Sequence, residues 1–313
     1  MARAFVFPGQ GSQAVGMGTE LAAAFPVARH TLEEVDEALG QRLSRLIAEG
    51  PESDLTLTEN AQPALMAVSI AALRVLEGEG GVDLAKSVAL VAGHSLGEYT
   101  ALTAARSLAL ADAARLLKKR GQAMQAAVPV GEGAMVALLG ADLDQAVAVA
   151  AEAAGEEVCD PANDNAPGQV VLSGHATAIE RAIAIAAEKG IRRAIRLPVS
   201  APFHCKLMQP AAEAMAEALA AVEIRRPLVP VVANVTAAPN DDPRRIADLL
   251  VRQVTGLVRW RESVLAMKAA DVDTLVEIGA GKVLSGLARR IDKDVNGISV
   301  GTPAEVEAFL RSV

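Results

Sequence analysis

The sequence has few residues with aromatic, imidazole or thiol side chains. Aromatic residues make up 2% of the 313 positions, and there are four histidines and two cysteines. Cys159 and Cys205 are too few for a disulfide framework or a spaced metal cluster, so we expect reduced thiols and no metal site. With so few aromatic rings, Ala, Val, Leu and Ile must fill most of the core.

A basic surface and a long apolar run are also lacking. The formal net charge is −8, which is a poor match for nucleic acid or an anionic membrane surface. The longest helical stretch without a charge lies between Glu59 and Arg74 and is too short to cross a bilayer. The segment MARAFVFPGQG reaches Pro8 and Gly9 before an apolar run develops, so it does not predict a secretory signal. We expect a cytoplasmic, soluble protein that binds neither nucleic acid nor membrane.

Strand-like and helix-like segments alternate along the chain, which predicts an α/β fold with a mostly parallel sheet. From about 130 to 198 the segments follow as β-α-β-β-α-β, the ferredoxin-like order. We therefore expect a large α/β domain formed by residues 1–128 and 199–313, with a small ferredoxin-like domain inserted at 129–198. Within the large domain, NAQPALMAVSIAALRVLEG predicts a helix with Asn60 as its N-cap.

One motif has the pattern of a catalytic nucleophile. Gly93-His94-Ser95-Leu96-Gly97 follows an apolar, strand-like run over 87–93 and precedes a helix-like run. G-x-S-x-G in that setting is typical of a nucleophile elbow, and the helix N-terminus offers N–H groups to a developing oxyanion. A chance match is the alternative, because Gly, Ser, Ala and Leu are abundant here. The strand–turn–helix setting favours Ser95 as the nucleophile.

A serine nucleophile needs a base, and four histidines are available. His30 lies in a surface-like helix, His94 is adjacent to the serine, and His175 begins a helix of the small domain. His204, in LPVSAPFHCKLM, remains as the candidate base, with a structural histidine as the alternative. No acid stands near it in sequence, so a backbone carbonyl or an amide side chain is expected to orient the ring. Cys205 is interpreted as a packing residue.

Two further features indicate chemistry without deciding it. The segment GQGSQA (9–14) satisfies G-x-G-x-x-A after a strand, so a dinucleotide-binding site is one interpretation. The acid expected about twenty residues later is missing, since Glu33 and Glu34 lie in helical sequence. These glycines alternatively let backbone N–H groups approach a reacting oxygen. Arg120, in LLKKRGQAMQ, is either a solvated charge at a helix end or a bidentate clamp for a carboxylate.

The motifs taken together resemble the malonyl-CoA:acyl carrier protein transacylases of fatty-acid synthesis. The resemblance covers nearly the whole chain and rests on seven segments in order: FVFPGQGSQ, TENAQPAL, GHSLGEYTAL, RGQAMQ, NAPGQVVLSG, LPVSAPFH and EIGAGKVLSGL. It implies an α/β-hydrolase-like large domain with an inserted ferredoxin-like domain. It also implies a monomer that needs no cofactor and no metal.

The resemblance implies roles for individual residues. Ser95 matches the acylated nucleophile and His204 the general base. Gln10 and Leu96 match the residues whose backbone N–H groups form the oxyanion hole. Arg120 resembles the residue that pairs with the malonyl carboxylate.

Two more residues gain a role in this way. Gln253, in RQVTGLVRW, matches the glutamine whose backbone carbonyl holds the histidine. Phe203 stands directly before the histidine, where a phenylalanine goes with malonyl choice in related acyltransferases of polyketide synthesis. It occupies space that a 2-methyl group would need.

The reaction implied is a ping-pong transfer of malonyl from malonyl-CoA to the phosphopantetheine thiol of acyl carrier protein, through a malonyl-serine ester. The rivals are a serine hydrolase or thioesterase, a transacylase of polyketide assembly or malonate decarboxylase that uses another carrier, and a nonenzymatic scaffold. Acyl carrier proteins are acidic, so we expect a locally basic docking surface. The candidates are Arg192, Arg193, Arg196, Lys206, Lys282, Arg289 and Arg290.

Overall fold

The computed structural model describes residues 2–312, which form one mostly parallel and one antiparallel β-sheet covered by helices. The strands in chain order are β1 (Ala2–Phe7), β2 (Leu90–Gly93), β3 (Gly133–Leu139), β4 (Cys159–Ala166), β5 (Gln169–His175), β6 (Arg193–Arg196), β7 (Val231–Ala233), β8 (Ala238–Asn240), β9 (Val272–Ile278) and β10 (Asn296–Val300). The larger sheet has the order β10-β9-β1-β2-β7-β8. Its neighbours pair in parallel except β7 and β8. The predicted α/β architecture with a mostly parallel sheet is confirmed.

The helices alternate with the strands of the larger sheet and flank the smaller one. They are α1 (Thr19–Ala24), α2 (Pro26–Leu39), α3 (Leu43–Glu49), α4 (Glu52–Thr56), α5 (Thr58–Gly80), α6 (Leu84–Ser87), α7 (Leu96–Ala104), α8 (Leu110–Ala126), α9 (Leu143–Ala154), α10 (Ala176–Glu188), α11 (Gln209–Ala220), α12 (Pro243–Thr255), α13 (Trp260–Ala269), α14 (Val283–Ile291) and α15 (Pro303–Leu310). Within residues 2–312, no helix is both long enough and apolar enough to cross a membrane.

The strand β1 is central in its sheet and buried on both faces. Phe5 and Phe7 point into an apolar cluster shared with α5 and α8. Ala4 and Val6 point into a second cluster on the other face, together with Trp260. This arrangement is the one expected for a strand of a parallel sheet covered by helices on both sides. It fixes the end of β1 beside the end of β2, where Phe7 pairs with Gly93.

Two local predictions for the large sheet and its helices were wrong. The helix α5 begins at Thr58 rather than after Asn60, whose side chain instead donates to the Asp54 carbonyl oxygen at 2.9 Å. The strand predicted over 87–93 begins at Leu90, because residues 84–87 form α6. The side chain of Asp83 accepts the Ala85 N–H and caps that helical turn, which outweighs the strand tendency of the following residues.

The smaller sheet has the order β4-β5-β3-β6, and all its neighbours pair antiparallel. Its apolar side chains form a cluster of their own with α9 and α10, built around residues such as Val136, Leu172 and Ile179. It joins the rest of the fold through β4, where the Asp164 N–H donates to the Val258 carbonyl oxygen at 3.0 Å. Arg261 also lies 2.9 Å from the Asp164 carboxylate. The junction places β4 next to the carboxyl end of the larger sheet.

Candidate active site

Ser95 lies in the sharp turn between β2 and α7, with φ 54° and ψ −108°. A residue with a side chain rarely adopts such a positive φ. A Cβ added at Gly93 would lie 1.9 Å from the backbone of Gly97, and one added at Gly97 would lie 2.3 Å from the Phe7 carbonyl oxygen. Only glycine fits at both positions, so the two glycines let strand and helix approach closely on either side of the serine.

The hydroxyl of Ser95 is hydrogen-bonded to His204. Its Oγ lies 2.7 Å from Nε2, and Nδ1 of the same ring lies 2.8 Å from the Gln253 carbonyl oxygen. A carbonyl oxygen only accepts, so Nδ1 carries the proton and Nε2 accepts from the serine. Of the two predicted means of orienting the ring, a backbone carbonyl and an amide side chain, the structure contains the carbonyl. His204 also has a positive φ, 59°.

The imidazole of His204 is buried, with 4% of the residue exposed. Burial, followed by the nearby charge of Arg120, lowers its pKa to about 3. The ring is therefore neutral near physiological pH, which is the form that accepts a proton from a hydroxyl.

Arg120 is a buried cation directly beside Ser95. It projects from α8, is 1% exposed, and donates from Nη2 to Ser95 Oγ at 3.0 Å. It also donates to Gln62 Oε1 at 2.8 Å and to Gln253 Oε1 at 2.9 Å. These three hydrogen-bond partners are neutral, and Tyr99 lies under the guanidinium at 5.6 Å. Arg120 is thus not a solvated charge at a helix end, and its setting suits an incoming carboxylate.

Gln10 and Leu96, whose backbone N–H groups are the predicted oxyanion donors, lie in different turns and line the same cavity as Ser95. Gln10 follows β1 and Leu96 begins α7, and the pairing of β1 with β2 brings both turns to one edge of the sheet. Among residues 2–312, neither N–H donates to a backbone acceptor. The Gln10 side chain is held by Thr58, whose hydroxyl donates to Oε1 at 2.9 Å. The segment GQGSQA thus contributes to the surroundings of the serine.

A buried amide network supports the turn, and the sequence patterns did not reveal it. Asn234 Oδ1 accepts the Ser95 N–H at 2.7 Å, and Asn234 Nδ2 donates to the Gly93 carbonyl oxygen at 2.8 Å. The Gln253 side chain donates to the Ser95 carbonyl oxygen at 3.0 Å. Gln62 could have been noticed in the sequence, because it is a polar side chain within the long apolar helix α5. Asn234, at the end of a short strand, offered none.

The other three histidines are engaged elsewhere or exposed. His94 Nε2 lies 2.8 Å from Asn165 Oδ1, and its ring lies 5.8 Å from Trp260. His175 Nδ1 accepts the Val158 N–H at 2.9 Å, and His30 is exposed on α2. The elimination that selected His204 therefore agrees with the hydrogen bonds of all four rings.

A cavity of about 490 Å³ opens above the serine, between the two sheets. The larger unit contributes Ser95, Arg120 and Phe203, and Phe203 is buried beside His204. The smaller unit contributes Met135, Asn163, Leu197 and Pro198, and Val199 follows directly after it. A ligand in this cavity would contact both units.

The thiols lie outside this chemistry. Cys159 and Cys205 are both free and buried, and burial raises their pKa values to about 12 and about 11. Cys205 Sγ donates to the Pro202 carbonyl oxygen at 3.1 Å. Within residues 2–312, no three His, Cys, Asp or Glu side chains are grouped as metal ligands.

The seven basic docking candidates differ in how far they are neutralised. Three form ion pairs: Arg196 with Glu180, Lys206 with Asp160, and Lys282 with Glu305. Two donate to amide side chains: Arg289 to Asn296 and Arg290 to Gln169. Arg192 and Arg193 have no ion-pair partner among the residues described.

Comparison with known proteins extends over nearly the whole chain. Residues 4–302 match the acyl transferase domain family. The malonyl CoA-acyl carrier protein transacylase of Escherichia coli strain K12 is 46% identical over 309 residues, 98% of each chain. The chain belongs to this transacylase family. The matched region contains both Gln10 and Gln253, and so the whole of the site.

Solved structures agree with this family membership. An acyl-carrier-protein S-malonyltransferase from Bartonella henselae superposes with a TM-score of 0.97 at 56% identity, over 100% of this chain and 99% of that one. A malonyl-transacylase in complex with a holo type II PKS acyl-carrier protein superposes with a TM-score of 0.96 at 42% identity, over all of both chains. The fold of this transacylase-family chain is therefore shared over its full length.

Proposed function

We propose that this chain transfers a malonyl group from malonyl-CoA to the phosphopantetheine thiol of an acyl carrier protein, through an ester of Ser95. One arrangement carries the proposal: Ser95 Oγ lies 2.7 Å from His204 Nε2 and 3.0 Å from Arg120 Nη2. A nucleophile with its base can serve any acyl group, whereas a buried cation at the same hydroxyl favours one that bears a carboxylate. The names of the relatives support the same substrate pair.

The first half-reaction forms the ester. Ser95 Oγ attacks the thioester carbonyl while His204 Nε2 takes its proton. The N–H groups of Gln10 and Leu96 stabilise the tetrahedral oxyanion, where loss of one donor typically costs about 3–4 kcal/mol. The imidazolium then protonates the departing CoA thiolate, and the malonyl carboxylate pairs with Arg120.

The second half-reaction reverses these roles with a new thiol. The phosphopantetheine thiol of the carrier gives its proton to His204 and attacks the ester, and Ser95 leaves with that proton. The Gln253 carbonyl keeps Nδ1 protonated in both steps and so presents Nε2 to the serine. Phe203 beside His204 limits the room for a 2-methyl substituent.

We further propose that residues 1–128 and 199–313 form an α/β-hydrolase-like domain and that 129–198 form an inserted ferredoxin-like domain. The β-α-β-β-α-β order, the antiparallel sheet and its own apolar cluster support this division. The reaction above uses side chains, backbone N–H groups and two thiol carriers, so we propose that it needs no cofactor or metal. We also propose a cytoplasmic monomer, as expected from the sequence and the family resemblance. Arg192 and Arg193 are the proposed docking cations for the acidic carrier.

The deciding experiment is mass spectrometry after incubation with malonyl-CoA. We expect a mass gain of one malonyl group on the peptide that contains Ser95, and its loss when a holo acyl carrier protein is added. Ser95→Ala should show no mass gain. Ser200→Ala is the control, because Ser200 is an exposed serine in the loop after β6, and this variant should label normally.

Other outcomes would contradict the proposal in different ways. Release of free malonate at the transfer rate, without any carrier, would indicate a thioesterase. Absence of the ester would indicate a nonenzymatic scaffold. An ester that moves only to the carrier of polyketide assembly or of malonate decarboxylase would change the pathway but keep the chemistry.

A further inference from the structure

A buried glutamate lies in the first turn of α7, three residues after the nucleophile. Glu98 is 2% exposed, and its Oε2 accepts the Asn234 N–H at 3.0 Å and the Gln253 side-chain N–H at 2.7 Å. None of the roles proposed above uses this carboxyl group. A carboxylate away from water needs a compensating charge or hydrogen bonds.

The compensating charge is Arg120, one amide away. Gln253 Oε1 accepts from Arg120 Nη2 at 2.9 Å, while Gln253 Nε2 donates to Glu98. A guanidinium only donates and a carboxylate only accepts, so the amide has one orientation that satisfies both. The side chain of Gln253 therefore links a buried cation to a buried anion.

A substrate carboxylate changes this balance. This step rests on the proposed function, in which the malonyl carboxylate pairs with Arg120. Two carboxylates then share one cation in a site with little water, and their mutual repulsion favours protonation of one of them. The malonyl carboxylate contacts the guanidinium directly, whereas Glu98 reaches it through an amide. Glu98 is therefore the carboxylate that takes the proton.

The surroundings of Glu98 permit such a change near neutral pH. Burial raises its pKa to about 7, against the opposing effect of Asn234, Gln253 and Arg120. The charged and titratable groups that face it are Arg120 from α8 and Tyr99, the next residue of its own helix. Burial raises the pKa of Tyr99 to about 12, so this group does not titrate in the same range.

We propose that Glu98 is a positioning residue for Arg120: its carboxylate holds the guanidinium through the Gln253 amide in the free enzyme, and it takes up one proton from solvent when the substrate carboxylate pairs with Arg120. No substrate bond changes in this step. Binding of a carboxylated acyl group is thereby linked to proton uptake, and binding of a plain acyl group is not.

The substitution Glu98→Gln separates charge from hydrogen bonding. The glutamine oxygen can still accept from Asn234 and Gln253, but the side chain neither carries a charge nor takes up a proton. In the wild type, the KM for malonyl-CoA should rise between pH 6 and pH 8.5, by about tenfold for each pKa unit of coupling. In Glu98→Gln the KM should be nearly constant over that range, with kcat changed much less than KM.

A matched control is Glu277→Gln. Glu277 is also buried and also accepts backbone N–H groups, from Leu284 and Ser285, but it lies on β9. This variant should keep the wild-type pH dependence of KM. A Glu98→Gln profile that rises in parallel with the wild type would overturn the proposal, because only a structural role would then remain.

A second measurement does not depend on the folding of Glu98→Gln. Calorimetric titration of Ser95→Ala with malonyl-CoA, in two buffers of different ionisation enthalpy, counts the protons bound with the ligand. At pH 7 we expect uptake of roughly half a proton per malonyl-CoA, since a group with pKa near 7 is already half protonated. Acetyl-CoA carries the same phosphates without the carboxylate and should give almost none.

The two possible failures are distinguishable. Malonyl-CoA binding without proton uptake, together with a normal malonyl ester in the wild type, would overturn the role of Glu98 alone. Absence of that ester in the mass spectrum would remove the proposed function and this inference with it.

Discussion

Replacement of Arg120 by alanine should abolish the preference for malonyl while leaving acyl transfer possible. The guanidinium is buried, and its hydrogen bonds go to Gln62, Ser95 and Gln253, which are all neutral. Removing one partner of a buried charge pair typically costs about 3–5 kcal/mol. For malonyl-CoA this corresponds to a loss of about two to four orders of magnitude in kcat/KM. Acetyl-CoA has no carboxylate to pair, so its kcat/KM should fall far less.

The assay is the rate of ester formation on Ser95 with each donor, which isolates the first half-reaction from carrier docking. Arg115→Ala is the matched control, because Arg115 lies on the same helix, is 54% exposed in its side chain and pairs with Asp112. Exposed substitutions of this kind typically change free energies by less than about 0.5 kcal/mol, or about twofold in rate. If Arg120→Ala kept the malonyl-to-acetyl ratio within about twofold of the wild type, the carboxylate clamp would be refuted.

Three further predictions concern the support of the serine, the base and the docking surface. Asn234→Ala should lower the free energy of unfolding by about 2–4 kcal/mol, measured by urea titration, since the hydrogen bonds of its side chain with the Ser95 N–H and the Gly93 carbonyl oxygen are lost. The pKa of His204, lowered to about 3, keeps the base neutral as pH falls, so the rapid-mixing rate of ester formation should show no acid limb near pH 6.5. Reversal of both Arg192 and Arg193 to Glu should raise the KM for acyl carrier protein roughly tenfold at low salt and leave the malonyl-CoA half-reaction unchanged.

Each of these predictions has a control or a contrary result. Asn240 is a buried asparagine on the neighbouring strand β8, and its side chain donates to a single carbonyl oxygen. Asn240→Ala should therefore lower the free energy of unfolding by less than Asn234→Ala. An acid limb near pH 6.5 in ester formation would mean that the base is more solvated than its burial indicates. Arg29→Glu reverses one charge on the exposed face of α2, which is half the charge change of the double variant. A loss of carrier affinity there as large as that of the double variant would discount the docking surface.

The pairing of Ser95 with His204 in the structure could be predicted from the sequence because both residues have local signals. Gly93 and Gly97 indicate a close approach of strand and helix around Ser95, because a side chain at either position would not fit. The four histidines are few enough for elimination, which selected His204. The parallel sheet was predictable for a similar reason, since strands buried on both faces have uninterrupted apolar runs.

The support of the site could not be predicted, because it depends on packing between distant segments. Ser95 and Asn234 are 139 positions apart and meet only because β2 and β7 are neighbours in the sheet. An asparagine at the end of a strand has no pattern that distinguishes a hydrogen-bonding partner from a turn residue. Glu98 likewise has no sequence signal of a role in the site, because an acid in the first turn of a helix is ordinarily explained by the helix dipole.

The positive φ of Ser95 and of His204 has a consequence for the evolution and engineering of the chain. Backbone conformations of this kind cost roughly 1–3 kcal/mol for a residue with a side chain, and glycine adopts them freely. At His204, glycine would also leave a cavity in place of a buried imidazole, a loss that outweighs the relief of strain. Glycine at Ser95 removes only a small side chain and should therefore give a more heat-resistant but inert protein, so screens that reward thermal tolerance without an activity readout should drift towards inactive variants at this position.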